Sequence, residues 1–262
     1  MLESVVYKQD KENIDQVQRQ SFIEANNTLH NALNEDNIIP FFQGILDNKT
    51  KKISKFECLA RIRIGSEIIT PYQFLEPAKL SGLLPEITKV MIDKSFKVMQ
   101  MNDYTFSINI TEDDLSRKYL LKYITQKSTE YHISPSRVIL EILEGISANA
   151  KQSHLQQLKE LKNAGYSIAI DDFGTEYSNF ERVLDLEIDF LKIDAKYIKD
   201  IDTNKKSYEI TRAIAFFAHN ANIPCIAEFV HNQAVQDIVE ELDIEYSQGY
   251  LYSQPKLNPI EQ

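Results

Sequence analysis

Eight polar residues sit in, or at the ends of, otherwise apolar segments of this 262-residue chain. Glu57 lies in FECLAR, Asn109 closes SIN, Glu141 lies in ILE, and Asp171 and Asp172 end IAIDD. Lys192 lies in FLK, Glu228 closes IAE and Gln248 lies in SQG. Any one carboxylate could be a cap, a turn residue or half of a salt bridge. The Asp171-Asp172 pair fits that reading poorly, because adjacent carboxylates leaving a buried strand raise each other's pKa or require a cation. Taken together, Glu57, Asn109, Glu141, Asp171, Asp172 and Glu228 offer five carboxylates and one amide. Such an all-oxygen set suits hard divalent cations such as Mg²⁺ or Mn²⁺, and no His or Cys cluster competes for a softer metal. Two such ions about 3.5–4 Å apart, with one carboxylate bridging, are equipped to cleave a phosphate ester. Lys192 would add a cationic donor that orients water or neutralises developing charge, the plainer alternative being a salt bridge at the rim of the fold. Arg61, four residues past Glu57, is placed to grip a phosphate or to pair with a neighbouring acid.

Residues so far apart in sequence converge only if the chain winds them to one face. IIPFFQGILD (39–48) and KISKFECLARIRI (52–64) read as a hairpin with its turn at Asn48-Lys49. The helices PYQFLEPAKLSG and PEITKVMIDKSFKVMQMN follow, the second with Pro85 in its first turn. From there strands and helices alternate. YTFSINI, RVILEIL, SIAIDDF, FLKID, IPCIAEF and a short YSQGYLYS are the strands. Thr111 with Asp114 reads as an approximate capping box, and SHLQQLKELKNAG turns Leu155, Leu158 and Leu161 to one side before Gly165 ends it. Continuous apolar strands alternating with helices indicate a parallel sheet covered on both faces. About eight such units predict an α/β fold, a TIM-like (β/α)8 barrel with one antiparallel strand contributed by the first hairpin. There the C-terminal strand ends open on one shared face. An open doubly wound sheet is the alternative, but no glycine-rich phosphate loop follows the first strand. Residues 1–35 read as a helical lead-in or linker and 36–262 as the barrel.

Composition sets outer bounds. Lys and Arg total 29 against 39 Asp and Glu, a net charge of −10 that disfavours DNA and anionic membranes as partners. No apolar run approaches the ~20 residues of a membrane span, so a cytoplasmic location is expected. Cys58 and Cys225 lack CxxC spacing and read as small core residues.

The motifs also carry a resemblance. ECLAR (57–61) resembles the EAL signature of bacterial cyclic-di-GMP phosphodiesterases. SINIT, ILEILE, DDFGTEYS, LKID, AEFV and QGYLYSQP follow in that family's order, from about residue 36 to 258. The resemblance implies hydrolysis of cyclic di-GMP to linear pGpG with two Mg²⁺ or Mn²⁺ ions. By the same resemblance Glu57, Asn109, Glu141, Asp171, Asp172 and Glu228 look like metal ligands, and catalysis would fall to Lys192, Glu57 and Glu228. Lys192 looks like the residue that positions the attacking water. Gln43 and Arg61 look like contacts to the ligand, and Gln248 like a group beside the metals. Glu144 looks like the acid that holds the loop after the aspartate pair. A homodimer, and an upstream sensor or GGDEF domain ahead of the helical lead-in, are expected partners.

Three segments depart from the family's usual residues. DFGTEYSN has Glu176 where the family has Gly, AEFVH has Phe229 and His231 where it has Gly and Glu, and FLEPAKLSG has Lys79 where an acid is common. These changes support an alternative in which the chain is a catalytically weak or idle cyclic-di-GMP receptor, or a module for protein interaction. Among the five histidines, His30, His132, His154, His219 and His231, none has metal spacing with another, and each reads as a loop or helix-cap residue. Phe216-Phe217 reads as core or dimer surface.

Overall fold

The protein is described by a computed structural model covering residue 20 and residues 22–145, 152–175 and 180–259. Two compact units emerge. One comprises the described residues up to Ile39 together with Ala60–Ile87, and the other Pro40–Leu59 with Thr88 onward.

The first unit holds a helix over residues 22–34, the helix Pro71–Leu80 and the strand β3 (Glu67–Ile69). Residues 1–19 and 21 lie outside the described set. The short strand β3, which the sequence pattern does not reveal, folds back on β2 (Lys52–Ile64) with Ile62 opposite Ile69.

The second unit is built on the expected alternation. β1 (Ile38–Asp47) leads through a turn into β2, where the Asp47 carboxylate accepts the amide N–H groups of Lys49 and Thr50. There follow β4 (Thr105–Asn109), β5 (Val138–Leu143), β6 (Ser167–Phe173), β7 (Phe190–Ile193), β8 (Cys225–Ala227) and β9 (Tyr246–Gln248). The sheet runs β1-β9-β8-β7-β6-β5-β4-β2-β3, and pairing of β1 with β2 closes it into an eight-stranded barrel with β3 outside the ring. From β2 through β9 the barrel pairs are parallel, while β1 runs antiparallel to β9 with Ile45 opposite Gln248. This is the TIM-like barrel with one reversed strand.

The continuous apolar runs follow from burial on both faces. VILEIL is buried from Val138 through Ile142, and Leu191, Lys192 and Ile193 are all buried in β7. Helices between the strands cap as their sequences indicate. Thr111 accepts the Asp114 amide N–H, and the Asp114 carboxylate accepts that of Thr111 at 2.7 Å. Asn204 and Asn232 cap the helices Lys205–Asn220 and Gln233–Glu241. The helix Gln152–Asn163 buries His154, Leu158 and Leu161 and leaves Leu155 half-buried. His154 is thus a core residue facing the Ser116 hydroxyl at 3.1 Å rather than a loop or cap residue. Cys58 and Cys225 are buried free thiols.

Candidate metal centre

The site begins with register. Asn109 at the end of β4 lies opposite Glu141 on β5, and Glu57 on β2 lies opposite Ser107 on β4. Glu57 and Lys192 sit within their strands, whereas Asn109 and Gln248 end theirs and Glu228 follows β8 by one residue. The Glu228 amide N–H donates to the Ile193 carbonyl at 3.2 Å, which holds that carboxylate to the β7–β8 edge.

The Asp pair needs more than a regular strand, because successive side chains on a strand point to opposite faces. Pairing between β6 and β7 breaks register between Ile170 and Phe173, and Asp172 takes a φ of 55°. That irregularity turns both aspartates to one side. Carboxylate oxygens of Glu57, Glu141 and Asp171 then lie within 4.8 Å of one another, and so do those of Asp171, Asp172 and Glu228. The two triads share Asp171.

Lys192, 1% exposed, stands among them. Its Nζ lies 2.8 Å from Glu228, 2.9 Å from Glu141 and Asp171, and 3.4 Å from Glu57. Glu57 also accepts from the amides of Asn109 at 3.0 Å and Gln248 at 2.6 Å. Gln248 donates further to the Gln43 side-chain oxygen at 3.2 Å, and Gln43 donates to the Ser253 carbonyl at 3.1 Å. Glu144 accepts the Gly174 amide N–H at 3.0 Å, tying β5 to the turn that follows the aspartates. Arg61 is half-buried on β2 and donates to the Ala60 carbonyl at 2.8 Å.

Five carboxylates face one ammonium, and the protonation of the cluster reflects that excess. Burial pushes Glu141 up to about 8 despite Lys192, and Glu57 and Asp171 push it further. Burial likewise raises Glu228 well above the carboxylate range, against Lys192 and with Asp171 and Glu57 adding to it. Asp172 rises to about 7 through burial, the Asp171 charge and a hydrogen bond with Asp194. Burial opposes the charge on Lys192, yet Asp171, Glu141, Glu228 and Glu57 hold its pKa well above the usual lysine value. For Glu57, burial is overcome by Lys192, Gln248 and Asn109, which together lower its pKa. An all-oxygen cluster with more negative charge than its own cation balances is suited to divalent metal ions, so the residues present fit such a centre.

Beside the carboxylates opens a cavity of about 330 Å³, lined among others by Gln43, Glu57, Glu228, Phe229, His231, Gln248 and Tyr250. Tyr250 and Asp194 escaped the sequence reading. Asp194 stands two residues past Lys192 in FLKID, a signal the sequence does carry, while Tyr250 looks there like any surface tyrosine. His231 precedes the helix cap Asn232 and points its ring at the Asn232 amide, 3.0 Å away. Glu176 lies outside the described residues. Of the two adjacent phenylalanines, Phe217 packs on Phe180 with ring centres 4.5 Å apart and Phe216 is 72% exposed.

Comparison with known proteins gives a consistent result. The sequence model of one family, the EAL domain, matches residues 26–255. Cyclic di-GMP phosphodiesterase PdeB of Shewanella oneidensis is 30% identical over 86% of this chain, a match that spans 27% of PdeB. The bifunctional diguanylate cyclase/cyclic di-GMP phosphodiesterase MucR of Pseudomonas aeruginosa is 28% identical over 74% of this chain and 29% of its own length. A solved structure described as the PaMucR phosphodiesterase in complex with c-di-GMP superposes with a TM-score of 0.85 at 25% identity, covering 91% of this chain and 99% of that one. The chain therefore spans under a third of the length of these two curated relatives.

Proposed function

The chain belongs to the EAL domain family, and from that premise we propose that it is a phosphodiesterase that hydrolyses cyclic di-GMP to linear pGpG using two Mg²⁺ or Mn²⁺ ions. The observation that carries this reading is the pair of carboxylate triads joined at Asp171. Glu57, Asn109, Glu141 and Asp171 would hold one cation, and Asp171, Asp172 and Glu228 the other. Bound there, such cations supply Lewis-acid polarisation of the phosphodiester and a water acidic enough to be deprotonated near neutral pH.

The chain's own groups do the positioning. Lys192, whose Nζ stands among four carboxylates, would orient the attacking water. Gln248 fixes one oxygen of Glu57 and Asn109 the other, so that this carboxylate cannot rotate freely. Glu144 fixes the turn after the aspartates through Gly174. Gln43, on the cavity wall, is assigned to the ligand. Arg61 is assigned to a phosphate because four residues along a strand return a side chain to the face of Glu57.

The deciding experiment incubates purified chain with cyclic di-GMP and Mn²⁺ and follows pGpG. Absence of product from folded, metal-loaded protein overturns the enzyme. Phe229 and His231 on the cavity wall favour a second reading, a receptor that binds the nucleotide without turning it over. Tight binding in Ca²⁺ with no turnover in Mn²⁺ would identify it. A homodimer is supported by the exposed Phe216 and Leu184, and sedimentation velocity tests it. The relatives' greater length, with one named also as a diguanylate cyclase, supports an upstream sensor or GGDEF domain.

A further inference from the structure

Phe229 combines three properties that do not normally occur together. It is a large apolar side chain left 54% exposed, its backbone φ is 59°, and it lines the cavity beside Glu57 and Glu228. A bulky L residue in the left-handed region is strained, and glycine would occupy it freely.

The backbone explains why some residue must take this turn. Glu228 is tied to Ile193, while Val230, fully buried, donates its N–H to the Gln248 carbonyl at 3.0 Å and accepts that of Leu251 at 3.1 Å. Between these anchors Phe229 takes the left-handed φ. The fold requires the turn but not the ring. The ring of Phe229 stands beside the His231 ring, 5.5 Å away and tilted by 52°. A strained bulky residue on a cavity wall, more than half exposed, points to a role in what enters the cavity.

We propose that Phe229 is the stacking platform for one guanine base of the nucleotide, setting affinity and base preference while the carboxylates and Lys192 handle the phosphodiester. This deepens the phosphodiesterase reading and rests on it. The cavity, about 330 Å³, lies within the range of volumes that accept small ligands. Its lining combines the aromatic residues Phe229 and Tyr250 with the carboxylates Glu57 and Glu228, a chemistry that matches a flat ring joined to a metal-bound phosphate. An aromatic face accepts any base face, so stacking contributes to binding before chemistry begins.

The test compares Phe229→Tyr, Phe229→Leu and Phe229→Gly with the parent, reading KM and kcat for cyclic di-GMP in Mn²⁺ and Kd in Ca²⁺. Tyr should hold KM near the parent value. Leu and Gly should raise KM and Kd about five- to tenfold, with kcat changed by less than about twofold. The Gly variant should melt no earlier than the parent, since its backbone suits glycine, and this separates lost stacking from lost fold. A Leu variant that binds as tightly as the parent, or a loss confined to kcat, overturns the proposal. If the parent binds but does not hydrolyse, a loss of affinity in Leu and Gly upholds the platform while the enzyme reading falls. If the parent does not bind at all, both fall.

Discussion

Lys192 brings one positive charge to a cluster in which Glu57, Glu141, Asp171 and Glu228 all lie within 3.4 Å of its Nζ. Replacing it with Met removes both that charge and the donor offered to a reacting water. The expected outcome is a fall in kcat of about 10²–10³-fold, the scale seen when one preorganised donor is lost from an active site. In EDTA the variant should also melt earlier than the parent, because buried carboxylates that lose a partner are destabilised, and circular dichroism melts would register it. A second lysine behaves differently. Lys55 is buried on β2, its ammonium 3.5 Å from the centre of the Tyr246 ring. Burial pushes its pKa down to about 8, with Asp47 opposing. Between that value and the ordinary lysine range the unfolded chain binds more protons than the folded one, so this group makes stability rise as pH increases through the interval. Urea midpoints at pH 7.5 and 9.5 should therefore diverge more for the parent than for Lys55→Met, and equal divergence would remove Lys55 as the cause. Residue identity made the carboxylates, Asn109 and Lys192 legible from sequence, since a polar group in an apolar strand is conspicuous. Phe229 was visible only as a departure from the family's Gly, because its consequence lies in a backbone angle.

At the scale of elements, the close approach of the segment after β8 to the end of β9 holds Gln248 against Glu57. A Cβ on Gly249 would stand 2.0 Å from the Val230 carbonyl oxygen. Gly249→Ala must therefore shift backbone against backbone, and we expect a loss of about 1–3 kcal/mol of stability together with most of the activity. Gly65, although its φ is 58°, has no atom within 4 Å of the corresponding position. Gly65→Ala should cost only about 1 kcal/mol, and paired chemical denaturation curves distinguish the two. The capping residues and the hairpin turn were readable because they act on their immediate neighbours. The register break at Asp171-Asp172 was not, since it depends on how β6 meets β7, a strand some twenty residues away.

At the largest scale, the barrel's parallel strands bring carboxylates from four segments of chain into two overlapping triads, with Lys192 from a fifth. Metal should couple to global stability on this architecture, because the cluster exists only in the folded chain. Saturating Mn²⁺ should raise the melting temperature of the parent, and a concentration a hundredfold above Kd corresponds to about 2.7 kcal/mol. Asp171→Asn, which alters the carboxylate common to both triads, should abolish most of that shift in differential scanning fluorimetry. A shift equal to the parent's would contradict the shared-ligand arrangement.

Apart from the short strand β3, the order of the barrel strands, the reversed first strand and the chemical types available to a site were determined by the sequence alone. Hydrophobic period, caps and turns act over a few residues and are written locally. Only the tertiary structure decided that Asp171 serves both triads, that Lys192 meets four carboxylates at once, and that Phe229 stands strained on the cavity wall. Each of these depends on the register between strands distant in sequence, which is set by the packing of the closed barrel rather than by any one segment.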